Sequence, residues 1–242
     1  MSLSAPSKTW NVDLLNGTIT VNGVEPRLSP LERSLPVFLG LNSGSATSER
    51  IARALHAQLE SGADAVKVLV YRFRRKIGHP DCVRFERGQY SLDHDPLLEL
   101  RRIENEAAAA AVYAGVLDES VRRQLEGYRA RLHRRRPQVL LNQAWFECVE
   151  RHLCHLERTI SIRLAVDAFR RKEYAEAIDR AWDVVAMDPL DEEPWEIVLR
   201  VQLAIGKRGT ALADFLRYGD LLKRELGTEP PLRFRELLSL QN

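Results

Sequence analysis

The stretch "KVLVYRFRRKIG", residues 67 to 78, places five basic side chains in twelve positions with Val, Leu, Tyr and Phe between them. On a helix, Val66, Leu69, Val70, Phe73 and Ile77 follow the i, i+3, i+4, i+7 spacing of one apolar stripe. Lys67, Tyr71, Arg74 and Arg75 fall on the opposite side, with Val68 and Arg72 at its edge. Such a helix can bury one face and present cations and a phenol on the other, which suits a polyanion, although a charge run is also how an ordinary solvated helix face reads. Between Lys67 and Arg87 there are seven Lys or Arg and only two acids, Asp81 and Glu86. A second cluster, Arg129, Arg131, Arg134, Arg135 and Arg136, reads as a helix C-terminus complementing its dipole, a linker surface, or an accessory phosphate contact.

Other reactive residue types lead nowhere comparable. In "CVERHLCHL", Cys148, His152 and His155 share a helical face with Cys154 adjacent, but zinc sites use loop-separated pairs that are missing here. "IGKRGT" has Val201 where a phosphate loop needs glycine, and no strand precedes it. "GLNSG" does not fit a nucleophile elbow and there is no HExxH. The expectation is a protein with no catalytic residues, no cofactor and no metal.

The elements that must hold the basic helix are legible around it. "WNVDLL" and "TITV" read as short strands, with Asn16-Gly17 and Asn22-Gly23 as turns, giving a small antiparallel sheet. Ser29 as N-cap and Pro30 at the first helical position start a first helix. "NSGSA" is loop chemistry, and Thr47 or Ser48 caps a second helix through "TSERIARALHAQL". Ser61-Gly62 breaks it, a third helix runs from about Ala63 to Ile77, and Gly78 and Pro80 end that one. In "CVRFERGQYSL", Val83, Phe85, Tyr90 and Leu92 alternate around a turn at Arg87-Gly88-Gln89, a β-hairpin carrying Arg84 and Arg87. Sheet, three helices and hairpin make the layout of a winged helix-turn-helix, whose last helix enters a major groove while the hairpin wing lies along the backbone beside it.

From "DHDPLLEL" onward the chain reads as helix. "RRIENEAAAAAVYAGV" has high helix propensity, "LDESVRRQLEGYRARLHRRR" stops at Pro137, and "QVLLNQAWFECVERHLCHLERTISIRLAVDAF" is long enough for two helices. Ala177 and Ala211 are 34 residues apart, and Ala181 and Phe215 keep the same offset, which is the tetratricopeptide period. Two such units need the preceding helices to complete their core. With 242 residues, 45% of them hydrophobic and 29% charged, the chain suits two domains, 1–95 and 96–242. No apolar run approaches membrane-spanning length, "MSLSAPSKTW" is not a secretory signal, and three cysteines argue for a reducing cytoplasm rather than a disulfide framework.

Two stretches carry a resemblance. "AVKVLVYRFRRKIG" followed by "VRFERGQYSL" resembles the recognition helix and wing of OmpR/PhoB-type DNA-binding domains. The run from "YAEAIDRAWDVVAMDPLDEEPW" to "LGTEPP" resembles the bacterial transcriptional activator domain, through "DPLDE", a glycine and an alanine at the next helix turn, and the "LG-EP" ending. Together they are similar to the Streptomyces antibiotic regulatory protein (SARP) family over nearly the whole chain. The resemblance implies a regulator, acting as an activator, whose N-terminal domain binds repeated elements in double-stranded promoter DNA as a homodimer or in tandem. Its helical domain would serve self-association or contact with RNA polymerase. It places DNA-contacting residues at Arg72 and Arg74, with Tyr71 beside them. The family usually has glycine directly before the wing tyrosine, whereas Gln89 precedes Tyr90 here and Gly88 stands one place earlier. No receiver, ATPase or forkhead-associated module is recognisable.

The residues expected to face DNA are therefore Lys67, Val68, Tyr71, Arg72, Arg74, Arg75, Arg84 and Arg87. For Val68 a thymine methyl and packing at the core edge remain open, and for Arg84 and Arg87 a wing contact and simple solvation. Tyr90 reads as a core anchor of the wing. The competing reading is a helical-repeat scaffold whose winged-helix domain does not read DNA.

Overall fold

The computed structural model describes residues 9–42, 44–55, 62–134 and 136–239. The chain packs as two compact units, one made of Met1–Asn105 with Ala130–Cys154 and the other of Glu106–Arg129 with His155–Asn242.

In the first unit, β1 (Trp10–Asp13) and β2 (Thr18–Val21) pair antiparallel from Trp10↔Val21 to Asp13↔Thr18. Asn22 and Gly23, both at positive φ, turn the chain back so that Val21 bridges Val24. Helix α1 (Pro30–Leu41) begins in a reciprocal capping box, since Ser29 Oγ accepts from the Glu32 amide and Glu32 Oε2 accepts from the Ser29 amide at 2.6 Å. Strand β3 (Ser45–Thr47) leads into α2 (Ser48–Ala54), where Thr47 Oγ1 caps the helix by accepting from the Arg50 amide. Helix α3 (Gly62–Ile77) follows, and Gly78, at φ 70°, closes it with a bond to the Arg74 carbonyl. Strands β4 (Val83–Glu86) and β5 (Gln89–Leu92) form the wing, and the sheet order is β3-β5-β4, antiparallel throughout.

Two expectations needed revision. The segment expected to be loop contains β3, because three residues with no hydrophobic alternation become a strand only by pairing with the wing, Ser45 opposite Ser91 and Thr47 opposite Gln89. The wing turn is two residues, Arg87 and Gly88, both at positive φ, and Gln89 belongs to the strand opposite Glu86. The expected course of the second helix beyond Leu55, its break at Ser61, and Arg135 lie outside the described residues.

The three helices meet on the stripe read from the sequence: Val66, Leu69, Val70, Phe73 and Ile77 are all buried. Trp10 of β1 packs edge-on against Phe73 at 5.7 Å, and its indole N–H is held by Asp93 at 3.1 Å. Lys76, on the last turn of α3, donates to the buried Glu32 at 2.6 Å. Burial raises the Glu32 carboxyl, but hydrogen bonds from Lys76 and Ser29 outweigh it and leave the group below its ordinary value. A depressed carboxylate stabilises the fold fully at pH values above the ordinary glutamate range, and this contribution is lost as pH falls through the depressed value. Glu32→Ala, which removes cap and ion pair together, is expected to cost about 1–3 kcal/mol in denaturant melts at pH 7, with a smaller difference from wild type in strongly acidic buffer.

The remaining elements are helical. They are α4 (Leu97–Val112), α5 (Glu119–Leu132), the short α6 (Gln138–Leu141), a 3-10 turn (Ala144–Phe146), α7 (Glu147–Arg170), α8 (Tyr174–Met187), α9 (Glu192–Ala204), α10 (Arg208–Leu226) and α11 (Leu232–Ser239). The segment expected to give two helices thus gives one long helix behind a short one and a 3-10 turn.

In the second unit the tetratricopeptide reading holds in detail. Ala165 and Ala168 of α7 meet Ala177 and Ala181 of α8, together with Val198 and Val201 of α9, in one buried cluster. Alanines at the crossing let the backbones approach closely, and α7 supplies the extra helix that two repeats require. Trp195, Tyr218 and Phe234 stack through α9, α10 and α11 in a second cluster. The "DPLDE" signature is a turn and a cap: Asp188 accepts from the Leu190 amide, and Asp191 caps α9 by accepting from the Glu193 amide at 3.2 Å. Trp195 and Tyr218 reach back to the Pro189 and Leu190 carbonyls, and Arg158 clamps Asp191. The architecture is a winged helix-turn-helix with small antiparallel sheets, followed by an all-α tetratricopeptide-like region.

Candidate nucleic-acid interface

With one face of α3 buried, the opposite face is set by geometry. Val68, Tyr71, Arg72 and Arg75 repeat the i, i+3, i+4, i+7 spacing on the solvent side. Val68 is 48% exposed and Tyr71 64% exposed, so Val68 does not pack at the core edge. Lys67 is also exposed, and Asp64 one turn back accepts a hydrogen bond from it at 2.8 Å, which with the carboxylate's charge raises its pKa. Arg84, Glu86, Arg87 and Gly88 are exposed on the wing.

Arg74 differs from its neighbours. It is half-buried, and its Nε and Nη2 donate to the Val83 carbonyl at 2.9 and 2.5 Å. The side chain ties α3 to the first wing strand and thereby fixes the angle between the two basic elements. Lys76 likewise has an internal partner, the buried Glu32, although its own side chain stays exposed. Tyr90 is buried and anchors the wing as expected, while Phe85, which the alternation pattern assigned to the same inner face, is 54% exposed with its ring 4.7 Å from Tyr90. An aromatic at the edge of a two-residue hairpin was the only available signal for that position.

Three arginines of the second basic cluster have internal partners. Arg129 bonds Ser161 and Asp183, Arg131 bonds Asp13 and Glu99, and Arg136 is buried against Glu150. These three guanidiniums are bonded within the chain, whereas Arg134 is exposed with no side-chain partner among the described residues. Among the described residues, Arg72, Arg75, Arg84 and Arg87 make no hydrogen bond or ion pair within the chain. Exposed, unpartnered guanidiniums along one helix stripe and one hairpin are free to bond phosphate oxygens or a guanine edge.

Of the groups considered for a metal, His152 bonds Glu104 at 2.7 Å. Among the described residues no cluster of three or more His, Cys, Asp or Glu is placed to hold an ion, and none of the three cysteines is in a disulfide. Burial, with Asp93 nearby, pushes the Cys82 thiol up to about 12, so it stays protonated at neutral pH.

The family profile described as "Bacterial transcriptional activator domain" matches residues 81–239. The chain belongs to this family. A solved structure of Mycobacterium tuberculosis EmbR, in complex with a low-affinity phosphopeptide, superimposes with a TM-score of 0.77 at 20% identity. The match covers 96% of this chain but only 64% of the EmbR chain. No curated protein matches in sequence. Bacterial transcriptional activator domain proteins are non-enzymatic transcription regulators, and the SARP-type resemblance read from the sequence agrees with both findings. Among the described residues no helix of this family member is long and apolar enough to cross a membrane.

Proposed function

We propose that this transcription regulator binds double-stranded promoter DNA with α3 in the major groove and the β4–β5 wing along the adjacent backbone. One observation carries the reading: the solvent stripe of α3 and the wing hold Arg72, Arg75, Arg84 and Arg87 with no internal partner, while Arg129, Arg131 and Arg136 of the second cluster are paired with carboxylates. Lys67 and the four arginines would neutralise phosphates, Arg72 or Arg75 is placed for bidentate contact with guanine, and Val68 for a thymine methyl. Tyr71 adds a hydroxyl donor beside them. Arg74 acts by positioning the wing. In this reading residues 1–95 are the DNA-reading domain and residues 96–242 the activator domain, which contacts RNA polymerase. Two protomers occupy repeated elements as a homodimer or in tandem, in the cytoplasm.

The test is a binding titration against the promoter region beside the chain's own gene, at several salt concentrations. Log affinity falls by about 0.9 per phosphate neutralised for each unit of log salt, so five cations give a slope of roughly −4 to −5. A specific complex with a slope near that value is the expected result. Absence of a specific shift, or a slope close to zero, favours the scaffold reading instead.

A further inference from the structure

In the second unit, one stripe of α7 forms the floor of a cleft of about 470 Å³ whose walls are the end of α4 and the first turn of α9. That volume is in the range of small-molecule sites. The stripe consists of Thr159, Ile162, Arg163, Val166 and Arg170, which share a face by helical spacing. It alternates apolar surface with cations.

Arg163 is the unusual member. It is 4% exposed, its Nε and Nη2 donate to the Ala110 and Gly115 carbonyls at 2.7 and 2.8 Å, and its Nη1 is buried with no partner among the described residues. Carbonyl oxygens satisfy donors but carry no formal charge. The carboxylate that acts on it, Asp167, is already committed: one oxygen accepts from the Leu117 amide at 2.7 Å and the other from Arg171 at 2.8 Å. Burial accordingly lowers the Arg163 pKa despite the field of Asp167. Arg170, at the far end of the stripe, also donates only to carbonyls, those of Ala114 and Gly115. The acid in the lining, Glu193, is bonded by Arg158. Two guanidiniums without a bonded counter-ion therefore flank Ile162 and Val166, and a buried cation left in that state is costly.

We propose that this cleft binds a small organic anion, its carboxylate or phosphate group against Arg163 and Arg170 and its apolar body over Ile162 and Val166. The site belongs to the second unit and shares no residue with the DNA-facing set, so its occupancy is measured without DNA and fails or succeeds independently of the reading above. It would provide the helical unit with a chemical input.

Isothermal titration of the full chain with phenyl phosphate, benzoate, inorganic phosphate and benzyl alcohol tests it. The expected result is saturable binding of one organic anion per chain, with a dissociation constant on the order of 0.1 mM, and much weaker binding of the neutral alcohol. The ranking of phenyl phosphate against benzoate identifies the head group. Arg170→Ala, an exposed position, is expected to weaken the anion about tenfold, and Val166→Trp to block it by filling the cleft. Arg163→Met should remove the preference for anions, and if that variant fails to fold, Arg170→Ala carries the test. Binding of the anions no tighter than the alcohol, or binding unchanged in both Arg170→Ala and Val166→Trp, overturns the proposal.

Discussion

Replacing Arg72 and Arg75 together by alanine is expected to weaken promoter binding on the order of 100-fold at moderate salt and to flatten the salt slope by about 2. Both side chains stand on the solvent stripe of α3 without a partner among the described residues, so the fold loses no hydrogen bond when they go. Surface changes of this kind usually stay within about 0.5 kcal/mol, so the melting curve should be unchanged. Arg131→Ala is the matched control, since it also deletes one arginine but breaks the bonds to Asp13 and Glu99. It should destabilise the chain by about 1–3 kcal/mol while leaving the salt slope as it was. Anisotropy titrations at several salt concentrations, paired with thermal melts, read both quantities. An unchanged slope in the double variant would remove α3 from the DNA contact.

The largest stability effect is expected at Trp195. Its ring is stacked on Tyr218 at 5.0 Å, meets Trp182 edge-on at 5.3 Å, and its N–H closes on the Pro189 carbonyl at 2.9 Å. Trp195→Ala leaves a cavity at the meeting of α9 and α10 and frees the "DPLDE" turn that Asp188 and Asp191 shape. A loss of about 3–5 kcal/mol is expected, read as a large drop in the denaturant midpoint. Trp195→Phe, which keeps part of the ring contact and loses the hydrogen bond, should fall between. If Trp195→Ala costs less than about 1 kcal/mol, the aromatic stack is not what holds α9, α10 and α11 together.

Legibility of the fold in the sequence followed the range of the forces involved. The buried stripe of α3 could be read because helical period is a local property, and Ser29, Pro30, Thr47 and Gly78 could be read because capping and termination act within four residues. Ala177 and Ala211 were legible as a repeat because the close helix approach recurs at a fixed interval. Strand β3 was not, because Ser45–Thr47 has no pattern of its own and exists through its bonds to β5. Phe85 was misplaced because alternation predicts sides of a strand, whereas the side itself is covered only if something packs there.

The same division applies to the candidate interface. The sequence by itself determined that a helix with one apolar and one basic face would precede a hairpin, and that tetratricopeptide-like repeats with the "DPLDE" signature would follow. Only the tertiary structure decided which arginines are free. Arg72 and Arg74 are two residues apart and chemically identical, yet one meets solvent and the other holds the Val83 carbonyl. Arg131 looks like any member of a basic run until Asp13, 118 residues away, arrives beside it. An ion pair or hydrogen bond is made over a few ångströms of space and carries no mark in chain order, so the availability of a charge becomes visible only when the chain has folded.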